Sequence, residues 1–175
     1  AYIIAVPTPF KKTNKPDLTY IKAAVRSIAP VLQKGELVIL ESTSPIGTTE
    51  KICQWLAQER KDLSFPDRVG NNADIQVSHS PERVLPGNVL KEIVNNDRVI
   101  GGISQNCTMR TRQLYKLAVE GECLLTTAAT AEFIKLSENA YRDVNIAFAN
   151  ELSVVADKIG INVWQAIELA NHHPR

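Results

Sequence analysis

The chain has 175 residues, 44% of them hydrophobic, and a formal net charge of +1. That length and apolar content suit one domain, or a domain with an appendage, with enough apolar side chains to fill a core. Acids and bases are interspersed, no basic block tracks a phosphate backbone, and the longest apolar runs are strand-length, so nucleic-acid binding and a membrane span are disfavoured.

Ala1 to Val6 is a short apolar run closed by Pro7 and reads as a strand. Pro16-Asp17 offers a helix N-cap, followed by Leu18, Ile21, Val25, Ile28 and Leu32 at helical spacing. Pro30 should kink or break that helix in its last turn, and Gly35 ends it. Glu36 to Leu40 is a continuous apolar strand of the kind buried on both faces of a parallel sheet. A second helix is expected from about Thr48 to Arg60, with Ile52, Trp55 and Leu56 inward. Ile75 to Ser78, Val99 to Ile103 and Glu122 to Thr126 read as further strands, and Ser104 caps a helix running to about Val119. This alternation argues for a doubly wound parallel sheet.

The breaker-free run from Thr127 to Ile159 reads as one long helix, ended by Gly160. Asn162-Val-Trp-Gln165 resembles a capping box for a last helix over 163–170. The one plausible boundary falls near Thr127, giving a sheet domain over 1–126 and a helical region over 127–175. On the long helix Lys135, Asn139 and Arg142 stand at i, i+4 and i+7 and form one polar stripe. Such a stripe can surround an oxygen-rich or anionic ligand, or it can be a solvated face. Ile134, Tyr141, Val144, Ile146, Phe148, Leu152, Val154 and Val155 spread over more than one face, so the helix should be buried on more than one side. A homodimer through this helix would supply the second partner.

The three cysteines, Cys53, Cys107 and Cys123, are widely spaced and odd in number, which points to reduced thiols in a cytoplasmic protein. His79, His172 and His173 have no cysteine or carboxylate at metal-ligand spacing, so no metal is expected.

Ligands of doubly wound sheets bind outside the carboxyl ends of the strands. Three loops leave such ends here. Val6-Pro-Thr-Pro9 is the first. Glu41-Ser-Thr-Ser-Pro-Ile-Gly-Thr-Thr49 carries several hydroxyls before a helix N-terminus, whose free N–H groups suit a phosphate or dinucleotide; ordinary capping by its own Ser/Thr residues is the alternative. Ser80-Pro-Glu-Arg-Val-Leu-Pro-Gly87 places an acid and a base beside two prolines and a glycine.

These loops, with Arg142-Asp-Val-Asn-Ile-Ala-Phe-Ala-Asn-Glu-Leu-Ser153 and Asn171-His-His-Pro-Arg175, resemble the UDP-glucose/GDP-mannose dehydrogenase family, NAD-dependent four-electron nucleotide-sugar 6-dehydrogenases. The resemblance covers essentially the whole chain and is greatest to the branch acting on UDP-N-acetylhexosamines, with the N-acetyl-mannosamine epimer as substrate, for surface polysaccharide synthesis. It implies that Lys135 and Asn139 steady the C6 oxygen as it gains negative charge, that Thr43 positions water and borders the nicotinamide, and that Glu82 does acid–base work in thioester hydrolysis. It places Pro7, Thr8, Ser42, Thr43 and Glu82 against NAD. It places Arg83, Val84, Leu85, Lys135, Asn139, Arg142 and Asn145 against the UDP-sugar, with Arg175 reaching across a dimer interface.

Two departures qualify the resemblance. The sequence has no Gly-x-Gly, and none of its cysteines lies in the Gly-rich context of the family's nucleophile. The chain is therefore expected to be a fragment, inactive alone, comprising the later part of the NAD domain and most of the central helical region. Competing readings are a non-catalytic oligomerisation or nucleotide-binding module, a dehydrogenase of UDP-glucose or UDP-N-acetylglucosamine, and, more distantly, a 3-hydroxyacid or 6-phosphogluconate type enzyme.

Overall fold

The apolar run Leu37–Leu40 forms strand β2, and all four of its residues are buried. Side chains alternate across a strand, so Val38 and Leu40 face one side of the sheet and Leu37 and Ile39 the other. The structure is a computed structural model that describes residues 1–13, 15–84 and 87–173. It covers both faces of β2. On one side α1 (Thr19–Ile28) and α2 (Thr48–Glu59) supply Ile21, Val25, Ile52 and Leu56. These pack with Val38 and Leu40, with Ile4 of β1 (Tyr2–Ile4) and with Val77 of β3 (Gln76–His79). On the other side Tyr115, the last residue of α5 (Gln105–Tyr115), packs with Leu37, Ile39 and Ile100 of β4 (Arg98–Gly102). Each aliphatic side chain withdrawn from water in this way contributes roughly 1.5–3 kcal/mol.

Among the described residues the sheet has five strands in the order β1-β2-β3-β4-β5, with β5 over Cys123–Thr127. β1 with β2, β2 with β3, and β4 with β5 pair in parallel. β3 and β4 are antiparallel, with Ser78 opposite Gly102 and His79 opposite Gly101. The sheet expected to be parallel throughout is thus mostly parallel, reversed at one junction. The connection explains the reversal. A parallel neighbour needs a crossover laid across a sheet face, whereas β3 returns to β4 through the loop 80–88 and the seven-residue helix α4 (Val89–Asn95). As a consequence the first residue of β4, Arg98, emerges beside the carboxyl end of β3.

The helix ends follow the local signals. Asp17 Oδ1 accepts the Thr19 amide at 3.0 Å. A 3-10 turn over Ala29–Val31, with Pro30 inside it, terminates α1. Ser104 Oγ accepts the Cys107 amide, and Asn162 Oδ1 accepts the amides of Trp164 and Gln165 to open α7 (Val163–Ala170). α5 stops at Tyr115 rather than near Val119, because the chain tightens there, with Leu117 and Ala118 amides reaching back three residues to Leu114 and Tyr115. A short helix, α3 (Pro66–Val69), leads toward β3.

The long helix α6 runs over Ala128–Lys158. Its first turn lies against β4 at Gly101. A Cβ there would strike the Thr127 carbonyl and stand 2.8 Å from the Ala131 methyl, so the close approach requires glycine. The chain forms two compact units, Ala1–Leu136 and Ser137–Arg175. The first holds the sheet, α1 to α5 and the opening turns of α6. The second holds the rest of α6 and α7, joined at Gly160, whose φ is 72°. There the Ile161 amide bonds the Ala156 carbonyl at 2.9 Å, the back-bond of a glycine-terminated helix. Within this second unit Tyr141, Val144, Phe148, Leu152 and Val155 are exposed along α6. Among the described residues no helix is long and apolar enough to cross a membrane.

Candidate active site at the carboxyl end of the sheet

The loops leaving β1 and β2 are tied together by hydroxyls. Ser42 Oγ accepts the Val6 amide at 2.8 Å and donates to the Val6 carbonyl at 2.7 Å. Thr8 Oγ1 donates to the Thr43 carbonyl at 2.6 Å. Pro7, Thr8, Ser42 and Thr43, singled out from sequence, are thereby held as one surface. The Ser42 hydroxyl is spent on the backbone, so its contribution is to the shape of that surface. The next hydroxyl, Ser44 Oγ, is buried with no hydrogen-bond partner among the described residues.

The N-terminus of α2 is neither open to a phosphate nor capped by its own serines and threonines. The carboxylate of Glu132, on α6, occupies it. Glu132 Oε2 accepts the Gly47 amide at 2.6 Å, and Oε1 accepts the Thr49 amide at 2.8 Å and the Thr49 hydroxyl at 2.6 Å. Glu132 is 1% exposed. A full negative charge against the positive end of a helix is favourable and disfavours a second anion in the same place. Sequence reasoning missed this residue, since 83 positions separate it from Thr49 and the signal available was only an acid in the second turn of a helix that follows a strand.

The Ser80–Val84 segment carries a second group of charges. Glu82 Oε1 accepts the amides of Arg83 and Val84 at 2.7 and 3.1 Å, so the side chain folds over its own loop. Its other oxygen pairs with Arg98 at 3.3 Å. Arg98 also pairs with Glu41 at 3.2 Å and lies over the Tyr115 ring, 4.5 Å from its centroid. Tyr115 donates its hydroxyl to Glu41 Oε1 at 2.5 Å. Burial, followed by the Glu41 hydrogen bond and charge, pushes the Tyr115 phenol far above its ordinary range, so it stays a neutral donor. The guanidinium of Arg83 reaches the Asp97 carbonyl at 3.2 Å. Neither Arg98 nor Tyr115 stood out in the sequence. The one available signal was an arginine opening an otherwise apolar strand. At the end of β3, His79 is fully buried, and burial holds its imidazole down at about 4, hence neutral near pH 7.

Lys135 lies in the first unit, three residues beyond the anchored Glu132, and is partly exposed. Asn139, Arg142 and Asn145 follow in the second unit, where Arg142 is exposed and the Asn145 amide nitrogen donates to the Tyr141 carbonyl at 2.7 Å. Leu85 and Arg175 lie outside the described residues.

A mostly parallel, doubly wound sheet with polar loops at its carboxyl ends defines a Rossmann-like nucleotide-binding domain. Residues 1–119 match the NAD binding domain of the UDP-glucose/GDP-mannose dehydrogenase family, and residues 129–175 match its central domain. The chain belongs to that family. It is 60% identical over all 175 residues to a UDP-N-acetyl-D-mannosamine dehydrogenase of Escherichia coli and 59% identical to an NDP-N-acetyl-D-galactosaminuronic acid dehydrogenase of Ralstonia solanacearum. A solved UDP-D-ManNAc dehydrogenase from Pyrococcus horikoshii superposes with a TM-score of 0.91 at 47% identity, covering 99% of this chain and 40% of that one. The chain spans 42% and 41% of the length of the two curated relatives.

The residues present fit one end of NAD better than the other. Glu132 already holds the amides of α2, and the sequence has no Gly-x-Gly to bring backbone against a diphosphate. The polar loops carrying Thr8 and Thr43, tied to each other at the ends of β1 and β2, suit the uncharged ribose of the nicotinamide half.

Proposed function

We propose that this chain is a part of an NAD-dependent UDP-sugar 6-dehydrogenase that oxidises C6 of UDP-N-acetyl-D-mannosamine to the uronate, and that it carries NAD-domain and central-domain sequence of that enzyme. The observation that carries this reading is the 60% identity to such an enzyme over the full 175 residues of the chain. Residues 1–126 then belong to the NAD-binding domain and 127–175 to a central helical region. The net reaction converts a primary alcohol, water and two NAD⁺ into a carboxylate, two NADH and three protons. NAD, when bound, accepts the hydride from C6.

The chain's own residues supply positioning and charge. Lys135 and Asn139, one turn apart on α6, donate to the C6 oxygen as it becomes anionic. An ammonium preorganised against a developing alkoxide is a large transition-state effect. Thr43 borders the nicotinamide and orients water. Glu82 serves as the acid–base group for hydrolysis of an enzyme-bound acyl intermediate, within reach of the loop that carries it. Arg83, Val84, Leu85, Arg142 and Asn145 contact the sugar nucleotide, and Arg175 does so across a homodimer built on α6. The exposed apolar row Tyr141, Val144, Phe148 and Leu152 supports that dimer. The enzyme works in the cytoplasm and feeds surface polysaccharide synthesis.

A second reading, a galacto-configured N-acetylhexosamine, has nearly equal support in the Ralstonia relative. Specificity constants of the full-length protein for UDP-N-acetyl-mannosamine, UDP-N-acetyl-galactosamine and UDP-glucose decide between them. The mannosamine substrate should lead. A higher value for the galactosamine substrate moves the assignment to the second reading, and a higher value for UDP-glucose rejects both.

A further inference from the structure

Resting on the dehydrogenase reading above, we propose that Arg98 is a positioning residue that, with Glu41 and Tyr115, forms a buried clamp fixing the Glu82 carboxylate at the carboxyl end of β3. The topology makes the clamp possible. Because β4 runs antiparallel to β3, its first residue comes out where β3 ends, and a parallel β4 would have carried Arg98 to the opposite end of the strands. The guanidinium then forks between two carboxylates contributed by the loops after β2 and β3, at 3.2 Å from Glu41 and 3.3 Å from Glu82. A planar fork of donors matches that task, and a lysine ammonium does not. Tyr115 braces the assembly twice, its ring under the guanidinium and its hydroxyl on Glu41.

The exposure of the members is graded. The side chains of Arg98, Glu41 and Glu82 are 8%, 16% and 38% exposed. The clamp is thus buried at its base, and the carboxylate it holds stands at the open rim. A purely stabilising role explains this poorly, since a buried charge cluster gains little over apolar packing once desolvation is counted. It does fix geometry: Glu82 is held by Arg98 on one oxygen and by the Arg83 and Val84 amides on the other.

The test is a double-mutant cycle between Arg98 and Glu82 in the full-length enzyme, read as kcat and KM for the UDP-sugar. Misplacing an acid–base group by about an ångström costs on the order of 10²-fold, so Arg98→Gln should lower kcat by about that factor while KM moves less than about threefold. In the Glu82→Gln background the same substitution should have almost no further effect on kcat. Arg98→Lys keeps the charge but loses the fork and the stacking on Tyr115, so it should recover only a small part of the loss. Equal fold-losses in the two backgrounds, or an Arg98→Gln enzyme with wild-type kcat, overturns the clamp. If Arg98→Gln does not fold, Arg98→Lys goes through the same cycle, and its loss must vanish when Glu82 is already Gln. A folded wild-type enzyme that oxidises no UDP-sugar overturns the dehydrogenase reading and the clamp with it; an active wild type with multiplicative losses overturns the clamp alone.

Discussion

Replacing Glu132 by Ala should be among the most destabilising single changes in the first unit. The side chain is 1% exposed and accepts three hydrogen bonds, from the amides of Gly47 and Thr49 and the hydroxyl of Thr49. Each bond to a charged group is worth about 1.5–3 kcal/mol, and donors stranded in the interior cost about 1–3 kcal/mol each. Loss of the favourable charge at the helix end adds up to about 2 kcal/mol in a buried setting. These terms overlap, so a total of about 4–5 kcal/mol is the expected scale, well above the roughly 1 kcal/mol typical of point mutants. Thr49→Val, which removes one of the three donors, should cost only about 1–2 kcal/mol. Thermal and denaturant unfolding of the full-length protein gives the totals. Amide hydrogen exchange at Gly47 and Thr49 reports the local loss, which should appear first in the opening turn of α2. A Glu132→Ala protein within about 1 kcal/mol of wild type, with unchanged protection there, would refute the reasoning and mean that water replaces the carboxylate without cost.

His79 makes stability fall in acid. Its folded-state value is depressed to about 4, so the unfolded chain binds the extra proton first: the contribution is complete above pH 6.5 and is lost as pH falls toward 4. His79→Gln should flatten that part of the stability profile, and an unchanged slope in urea titrations between pH 4 and 7 contradicts the assignment. Lys135→Ala should lower kcat by about 10²–10³-fold with little change in UDP-sugar affinity, because its charge matters once the C6 oxygen is anionic; a change of tenfold or less moves Lys135 to a structural role. Phe148→Asp combined with Val144→Asp should convert the intact protein from dimer to monomer in analytical ultracentrifugation, and a wild type that sediments as a monomer at micromolar concentration rejects the α6 interface. The 175-residue chain on its own should produce no NADH from any UDP-sugar, and a measurable rate would show that the nucleophile and diphosphate loop of the family are dispensable.

Much of the fold was legible because its signals are local. The unbroken apolar run of β2, the N-caps at Ser104 and Asn162, the break at Pro30 and the termination at Gly160 each depend on a few adjacent residues, whereas at α1 the N-cap position falls on Leu18, one residue after the expected Asp17. The direction of β4 was not legible in this way. An apolar strand reads the same in both directions, and only the brevity of α4 hints that the chain turns back rather than crossing the sheet. The site divided along the same line. The loops holding Thr8, Thr43 and Glu82 stood out as unusual clusters at strand ends, and Thr8 is hydrogen-bonded to Thr43. The groups that hold those loops in place were hidden. Glu132 reaches Thr49 across 83 residues, Tyr115 reaches Glu41 across 74, and Arg98 reaches Glu41 across 57. Contacts of that separation leave no periodicity behind, and a lone Glu or Arg in an amphipathic sequence looks like any solvated charge.

The most direct test of the dehydrogenase assignment is the stoichiometry of the full-length protein acting on limiting UDP-N-acetyl-D-mannosamine with excess NAD⁺. The account predicts two NADH per sugar consumed, with the uronate as product and no free aldehyde. One NADH per sugar with accumulation of the 6-aldehyde, or no NADH at all from a folded protein, would contradict it.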